Sequence, residues 1–161
     1  MKGVDRFLLA IVAGIIVIAV AAVVVVVSRG GDVTYRPDDT PDGAAFNYLL
    51  ALQRGDHERA YGYVSPSIKN YPTSVGAFAS AIEDTYPSRG SRDVALEIDS
   101  ARTENDQAWV KVRETAYYRN GPFGSSQNTR TFQMTLQREA PGWRITDSDS
   151  YWAWQWRTLP K

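Results

Sequence analysis

The chain contains no cysteine, one histidine and two methionines in 161 residues. Without cysteine there is no disulfide scaffold, thiol catalysis, thiolate metal site or lipidation on sulfur. With one histidine beside that absence, zinc lacks its usual nitrogen and sulfur ligands, and neither metal nor cofactor is expected. Net charge is lacking as well. Eighteen basic residues balance 18 acidic ones, which gives no electrostatic basis for binding nucleic acid or an anionic surface. Phosphate-binding glycine loops, the G-x-S-x-G nucleophile turn, the H-E-x-x-H helix and Asn-x-Ser/Thr acceptors are all missing. So are internal repeats.

What is present begins with a long apolar run. Phe7–Val27 is 21 consecutive residues without a charge, nearly all Ile, Leu, Val or Ala. At about 1.5 Å per residue, such a helix spans the roughly 30 Å of bilayer hydrocarbon. Ala19-Val20-Ala21 resembles a signal-peptidase site, but Val23–Val27 carries the apolar run past it, too far for a signal h-region. The expectation is a cytoplasmic tail over residues 1–6, a single transmembrane helix over 7–27 in the lipid bilayer, and a domain beyond. Lys2 and Arg6 before the helix nearly tie with Arg29 and Arg36 after it. The short N-tail and long C-terminal part favour the N-terminus inside and the domain outside the cytoplasm. Residues 28–39 (SRGGDVTYRPDD) lack a hydrophobic period and read as a tether of at most roughly 40 Å.

From residue 40 the pattern is helical. Thr40 is an N-cap with Pro41 at the first position and Asp42 in the first turn. Ala45, Tyr48, Leu49 and Leu52 recur on one face, and Gly55 is a left-handed stop. Asp56 caps a short second helix carrying Ala60, Tyr61 and Val64, and Ser65-Pro66 marks a brief turn. Ser74 opens a third helix with Val75, Phe78, Ala79 and Ile82 on its stripe, ending before Pro87. After Gly90 the period becomes two. Val94, Leu96 and Ile98, then Ala108, Val110 and Val112, then Phe132, Met134 and Leu136 alternate with polar neighbours, and a last run starts at Trp143-Arg144-Ile145. Asn105-Asp106, Asn120-Gly121-Pro122 and Pro141-Gly142 are turn chemistry between antiparallel strands. Helices followed by a meander with one apolar face describe an α+β domain over 40–161.

These residues carry a resemblance. Ala45-x-x-Tyr48-Leu49-x-Ala51-Leu52-x-x-Gly55-Asp56-x-x-x-Ala60-Tyr61 resembles the opening helices of exported, membrane-anchored NTF2-like domains. Ala108-x-Val110 and Gly142-Trp143-Arg144-Ile145 resemble that superfamily's central and final strands. The resemblance implies a cystatin-like cone, three or four helices on a curved antiparallel sheet, with a pocket between helices and sheet and frequent dimerisation through the sheet's outer face. Its members include isomerases, dehydratases and pure binding modules, so the fold does not decide the function.

Three features could carry chemistry. His57 lies in the hydrophilic Asp56-His57-Glu58-Arg59 turn and reads as a solvated helix-start residue. Glu114, Asp147 and Asp149 are catalytic candidates because strict alternation from Val112 and Ile145 puts them on the inner face. A lone buried carboxylate there holds its proton more tightly, which is how a pocket base is made. Tyr48, Tyr61 and Tyr118 would be its hydrogen-bond donors. The bland alternative is a β-bulge that re-aims the acids.

The third feature is the chain's aromatic end. Trp152, Trp154 and Trp156 fall at alternate positions, so an unbroken strand places them on the outer face with Trp109, Lys111, Arg144 and Tyr117 as a partner-binding stripe. A bulge near Asp147–Ser150 instead turns the tryptophans inward. The second arrangement is favoured, since burying aromatic rings recovers more free energy than burying carboxylates.

The leading functional expectation is a membrane-tethered, extracytoplasmic binding or interaction domain without a catalytic set, meeting a protein or small-molecule partner or a second copy of itself, and no nucleic acid. The alternatives are an isomerase- or dehydratase-type enzyme with a pocket carboxylate as base, and a structural dimeric subunit of an envelope assembly.

Overall fold

The computed structural model describes residues 15, 33–86, 93–119 and 125–157. The chain divides into two compact units, Met1–Thr34 and Tyr35–Lys161. The expected tail over 1–6 and membrane span over 7–27 lie, apart from Ile15, outside the described residues. Among the described residues no helix is long and apolar enough to cross a membrane.

The second unit opens with α1 (Pro41–Arg54). The Thr40 side chain accepts a hydrogen bond from the Gly43 amide, Pro41 occupies the first turn, and Gly55 closes the helix at φ 71°. Glycine, free of a Cβ, takes that left-handed conformation at the least steric cost. The next helix, α2 (His57–Gly62), starts on the Asp56 carboxylate, which accepts from the Arg59 amide. The third, α3 (Val75–Thr85), starts on Ser74 in the same way. Every residue of α1 from Gly43 to Leu52 is buried. Such a helix is covered on more than one side: the sheet takes one face, and α2 with the incoming segment Tyr35–Asp39 takes others.

The sheet is an antiparallel meander of β1 (Asp93–Glu104), β2 (Gln107–Arg119), β3 (Ser125–Glu139) and β4 (Gly142–Ser148), in that order. Two bulges bend it. One leaves Asp99 unpaired between Ile98 and Ser100, and the other leaves Thr146 unpaired between Ile145 and Asp147. The outer edge of β4 is closed by a parallel bridge from Val64. The Ser65 amide donates to the Ile145 carbonyl at 2.9 Å, and the Ile145 amide donates to the Tyr63 carbonyl at 2.8 Å. Backbone groups that would template aggregation are thereby satisfied.

The Thr146 bulge decides between the two arrangements that alternation left open. Ile145 stays inward, but Asp147 pairs with Thr135 on the outer side, and β4 ends at Ser148. Asp147 and Asp149 therefore do not face inward as strict alternation had them, and the bulged arrangement that the burial argument favoured is the one present: one extra residue flips the parity of everything after it. The run Tyr151–Trp156 is no strand. It folds back and closes in a 3-10 turn over Trp154–Trp156, so the three tryptophans do not share a face. Trp152 and Trp156 are fully buried and Trp154 is 73 % exposed.

Trp156 stacks on Phe78 at 5.4 Å and 5°, and Trp152 meets Tyr48 and Trp156 edge-on at 6.4 and 5.2 Å. These rings join Ala108, Val110, Val112, Phe132, Met134 and Leu136 in one core between helices and sheet. The buried Nε1 atoms of Trp143, Trp152 and Trp156 have no hydrogen-bond acceptor. Each such group costs about 1–3 kcal/mol. Burying an indole returns roughly 4–6 kcal/mol at about 25 cal/mol per Å² over its 150–250 Å², so burial wins.

Candidate functional site

The inner face of the sheet holds its polar residues at one end. Glu114 and Arg130 stand opposite each other in the β2–β3 register, on the same side as Val112 and Phe132. Arg130 Nη2 donates to Glu114 Oε2 at 2.8 Å and to Ser150 Oγ at 3.0 Å. Glu114 is 8 % exposed, whereas the Arg130 side chain is 55 % exposed. The hydrogen bond to Glu114 raises the pKa of Arg130, against a smaller opposing effect of burial. Glu114 is therefore one half of an ion pair, and the lone pocket acid that alternation suggested does not describe it.

Next to this pair lies a strained residue. Tyr151 has φ 58°, an outlying conformation for a bulky side chain. Its carbonyl accepts from the Tyr48 hydroxyl at 2.6 Å and its amide donates to the Tyr86 hydroxyl at 2.9 Å. Tyr86 stacks on the Tyr151 ring at 5.6 Å and 13°, and Phe132 packs against it at 5.6 Å. Two tyrosine hydroxyls thus hold the reversal that sends Trp152 inward.

The other candidates occupy separate places. Asp147 accepts from the Ser148 amide at 2.9 Å, and exposed Asp149 accepts from the Gln133 amide at 3.0 Å, so both carboxylates finish the ragged end of β4. The Tyr61 hydroxyl donates to the Pro72 carbonyl at 2.8 Å. Tyr118 is on the border of exposure, on the inner side of the β2–β3 hairpin. His57 is half-buried rather than solvated, edge-on to Phe78 at 6.4 Å, with Nε2 3.9 Å from Glu83. Among the described residues no three His, Asp or Glu side chains gather as a metal site.

The outer face of the sheet is different in character. Half-buried Trp109 lies in a shallow open groove of about 540 Å³, lined by Ser100, Arg102, Glu104, Lys111 and Gln133. Arg102 lies over the indole at 6.0 Å and pairs with Glu104 at 3.2 Å, while Arg113 bridges Glu97 and Asp99. Tyr117 is exposed farther along the same side of β2. Trp152 and Trp156, expected as partner-binding residues, are core and present no surface; Trp154 is exposed on its own turn.

Arg130 and Ser150 escaped the sequence reading. Arg130 lies two residues before Phe132, so parity alone puts it on the inner face beside Glu114. Ser150 carried no such signal, because its position depends on the bulge.

No protein-family model matches the chain, and no curated protein does. Solved structures to which it is similar include an NTF2-like protein with a cystatin-like fold from Novosphingobium aromaticivorans, at 18 % identity and TM-score 0.49, covering 66 % of this chain and 75 % of that one. A candidate ketosteroid isomerase from Shewanella frigidimarina is similar at 14 % identity and TM-score 0.48, covering 68 % and 94 %. A candidate calcium/calmodulin-dependent protein kinase type II association domain from Thiobacillus denitrificans is similar at 16 % and 0.49, covering 70 % and 95 %. These likenesses concern fold alone, and none of those proteins' activities comes with them.

Proposed function

We propose that the chain is a single-pass membrane protein, N-terminus inside, whose C-terminal domain is an extracytoplasmic NTF2-like interaction module without catalysis. The observation that carries this reading is the filled interior. Trp152, Trp156, Phe78 and Tyr48 pack together in the space between helices and sheet. The inward acid, Glu114, is committed to Arg130, and the Tyr48 and Tyr61 hydroxyls are committed to backbone carbonyls. An isomerase or dehydratase needs a free base facing a vacant pocket, and these commitments of Glu114, Tyr48 and Tyr61 weigh against that reading.

The interaction surface in this reading is the outer sheet face around Trp109 and Tyr117, and its partner is a second copy. Arg102, Lys111 and Arg113 are interleaved there with Glu97, Asp99 and Glu104. A face bearing both signs in rows can meet its own two-fold image with opposite charges in register. Sedimentation of residues 34–161 is expected to show a dimer. Replacing Trp109→Ala together with Lys111→Glu is expected to yield a folded monomer. A wild-type domain that stays monomeric well above micromolar concentration rejects this interface.

A further inference from the structure

The segment entering the domain is held more firmly than its composition suggests. Buried Asn47 grips the backbone of Arg36 from both sides: the Arg36 amide donates to Asn47 Oδ1 and Asn47 Nδ2 donates to the Arg36 carbonyl, each at 2.8 Å. Asn47 Nδ2 also donates to the Tyr63 hydroxyl at 3.2 Å, which donates to Asp38 at 3.3 Å. The Tyr35 ring carries the Arg59 guanidinium at 3.7 Å and that of Arg54 at 5.0 Å, and its hydroxyl donates to Asp56 at 3.3 Å. Arg36 in turn lies over Phe46 at 3.8 Å. Finally, the Pro37 carbonyl rests against Gly43, where a Cβ would collide with it. Glycine inside the first turn of a helix weakens that helix, so its presence has a packing reason.

We infer that Tyr35–Asp39 is a strap, locked along α1 from Gly43 to Arg54 and onto the start of α2, that fixes where the chain leaves the domain. This inference rests on the membrane-anchored reading for its consequence, though not for the strap itself. Between the apolar run and Tyr35 there are then only seven residues, Ser28–Thr34. Fully extended, they reach about 25 Å, against roughly 40 Å for the whole polar segment. On the membrane-anchored reading, seven residues rather than twelve set the domain's reach from the bilayer, so the partners it meets are membrane-proximal.

Gly43→Ala is the discriminating variant. A Cβ there collides with Pro37 and displaces the strap, while alanine favours α1 itself. Hydrogen exchange on the full chain in nanodiscs should show the Arg36 amide protected by at least about 100-fold over unstructured chain. In Gly43→Ala, and separately in Tyr35→Ala, that protection should collapse while the sheet amides stay protected. A dye on Ser80→Cys, the only thiol in the chain, should at the same time transfer less energy to acceptors in the lipid headgroups. An unprotected Arg36 amide in the wild type overturns the strap, as does Gly43→Ala leaving both exchange and transfer unchanged. Strong Arg36 protection with no energy transfer in any variant upholds the strap and overturns the anchored reading.

Discussion

Arg130 and Glu114 are unequal partners: one is largely in water and the other is almost out of it. Removing Arg130 leaves a buried carboxylate without its donor and takes a hydrogen bond from Ser150. Arg130→Met is therefore expected to cost about 1–2 kcal/mol in urea unfolding, kept modest by the exposure of the guanidinium. The double variant with Glu114→Gln should cost less than the two singles summed, because the second change removes the charge that the first one stranded. A strictly additive cycle would show that the pair is not coupled. The buried tryptophans allow a similar comparison. Trp152→Ala should cost about 3–5 kcal/mol, as for other large buried aromatics. Trp152→Phe should cost much less, since it keeps most of the ring and removes an Nε1–H that has no acceptor. Tyr71 adds a pH dependence. Burial first, and then its hydrogen bond with Tyr61, pushes its pKa up to about 12. Its neutral form is favoured on folding, so the contribution is complete below the unfolded value near 10 and is lost as pH rises toward 12. Tyr71→Phe should remove one step near pH 12 from the alkaline phenolate titration.

At the scale of elements, the sequence was clearest where one residue type does one physical job. Thr40, Asp56 and Ser74 each cap the helix they were expected to cap, and Gly55 stops α1 in the left-handed region. The strands followed from period-two alternation, because one sheet face is covered and the other is not. At the end of β4 alternation left two arrangements open, and only the burial argument favoured the bulged one that the structure has, without placing it at Thr146. A bulge is a one-residue event with no composition of its own, and whether it occurs depends on the free energy of everything downstream. Here the choice lay between burying two acids, Asp147 and Asp149, and burying two indoles, and Thr146 is where the chain resolves it. The strap was missed for a related reason. Gly, Pro and acidic residues describe a linker whether or not a buried Asn47 is waiting to bind its backbone. A chain beginning at Thr40 should therefore lose the Tyr35 ring contacts and the paired Asn47 hydrogen bonds. Compared with one beginning at Thr34, it should melt about 10 °C lower, consistent with a loss of roughly 2–3 kcal/mol in a domain of this size. Equal melting temperatures would show that the segment is dispensable.

At the scale of the whole molecule, the pocket expected between helices and sheet and the aromatic stripe expected outside it turn out to compete for the same side chains. Trp152 and Trp156 cannot both line an outer face and occupy the interior, and the reversal at Tyr151 commits them to the interior. On the proposed reading, recognition falls to the outer sheet surface, with Trp154 exposed apart from it. This predicts the result of native mass spectrometry on residues 34–161, purified from a heterologous host and from the protein's own source. With Trp152, Trp156, Phe78 and Tyr48 packed together between helices and sheet, the interaction-module reading expects no bound drug-sized molecule, which needs roughly 300 Å³ or more of enclosed space. The folded species should carry the mass of the polypeptide alone, or twice that mass. Trp154→Ala should leave that spectrum and the melting temperature nearly unchanged, because a ring that is 73 % exposed contributes little to the fold. A reproducible small-molecule adduct that disappears in Glu114→Gln would reverse the reading, since it would place a ligand beside the Glu114–Arg130 pair and make the inner face the working surface.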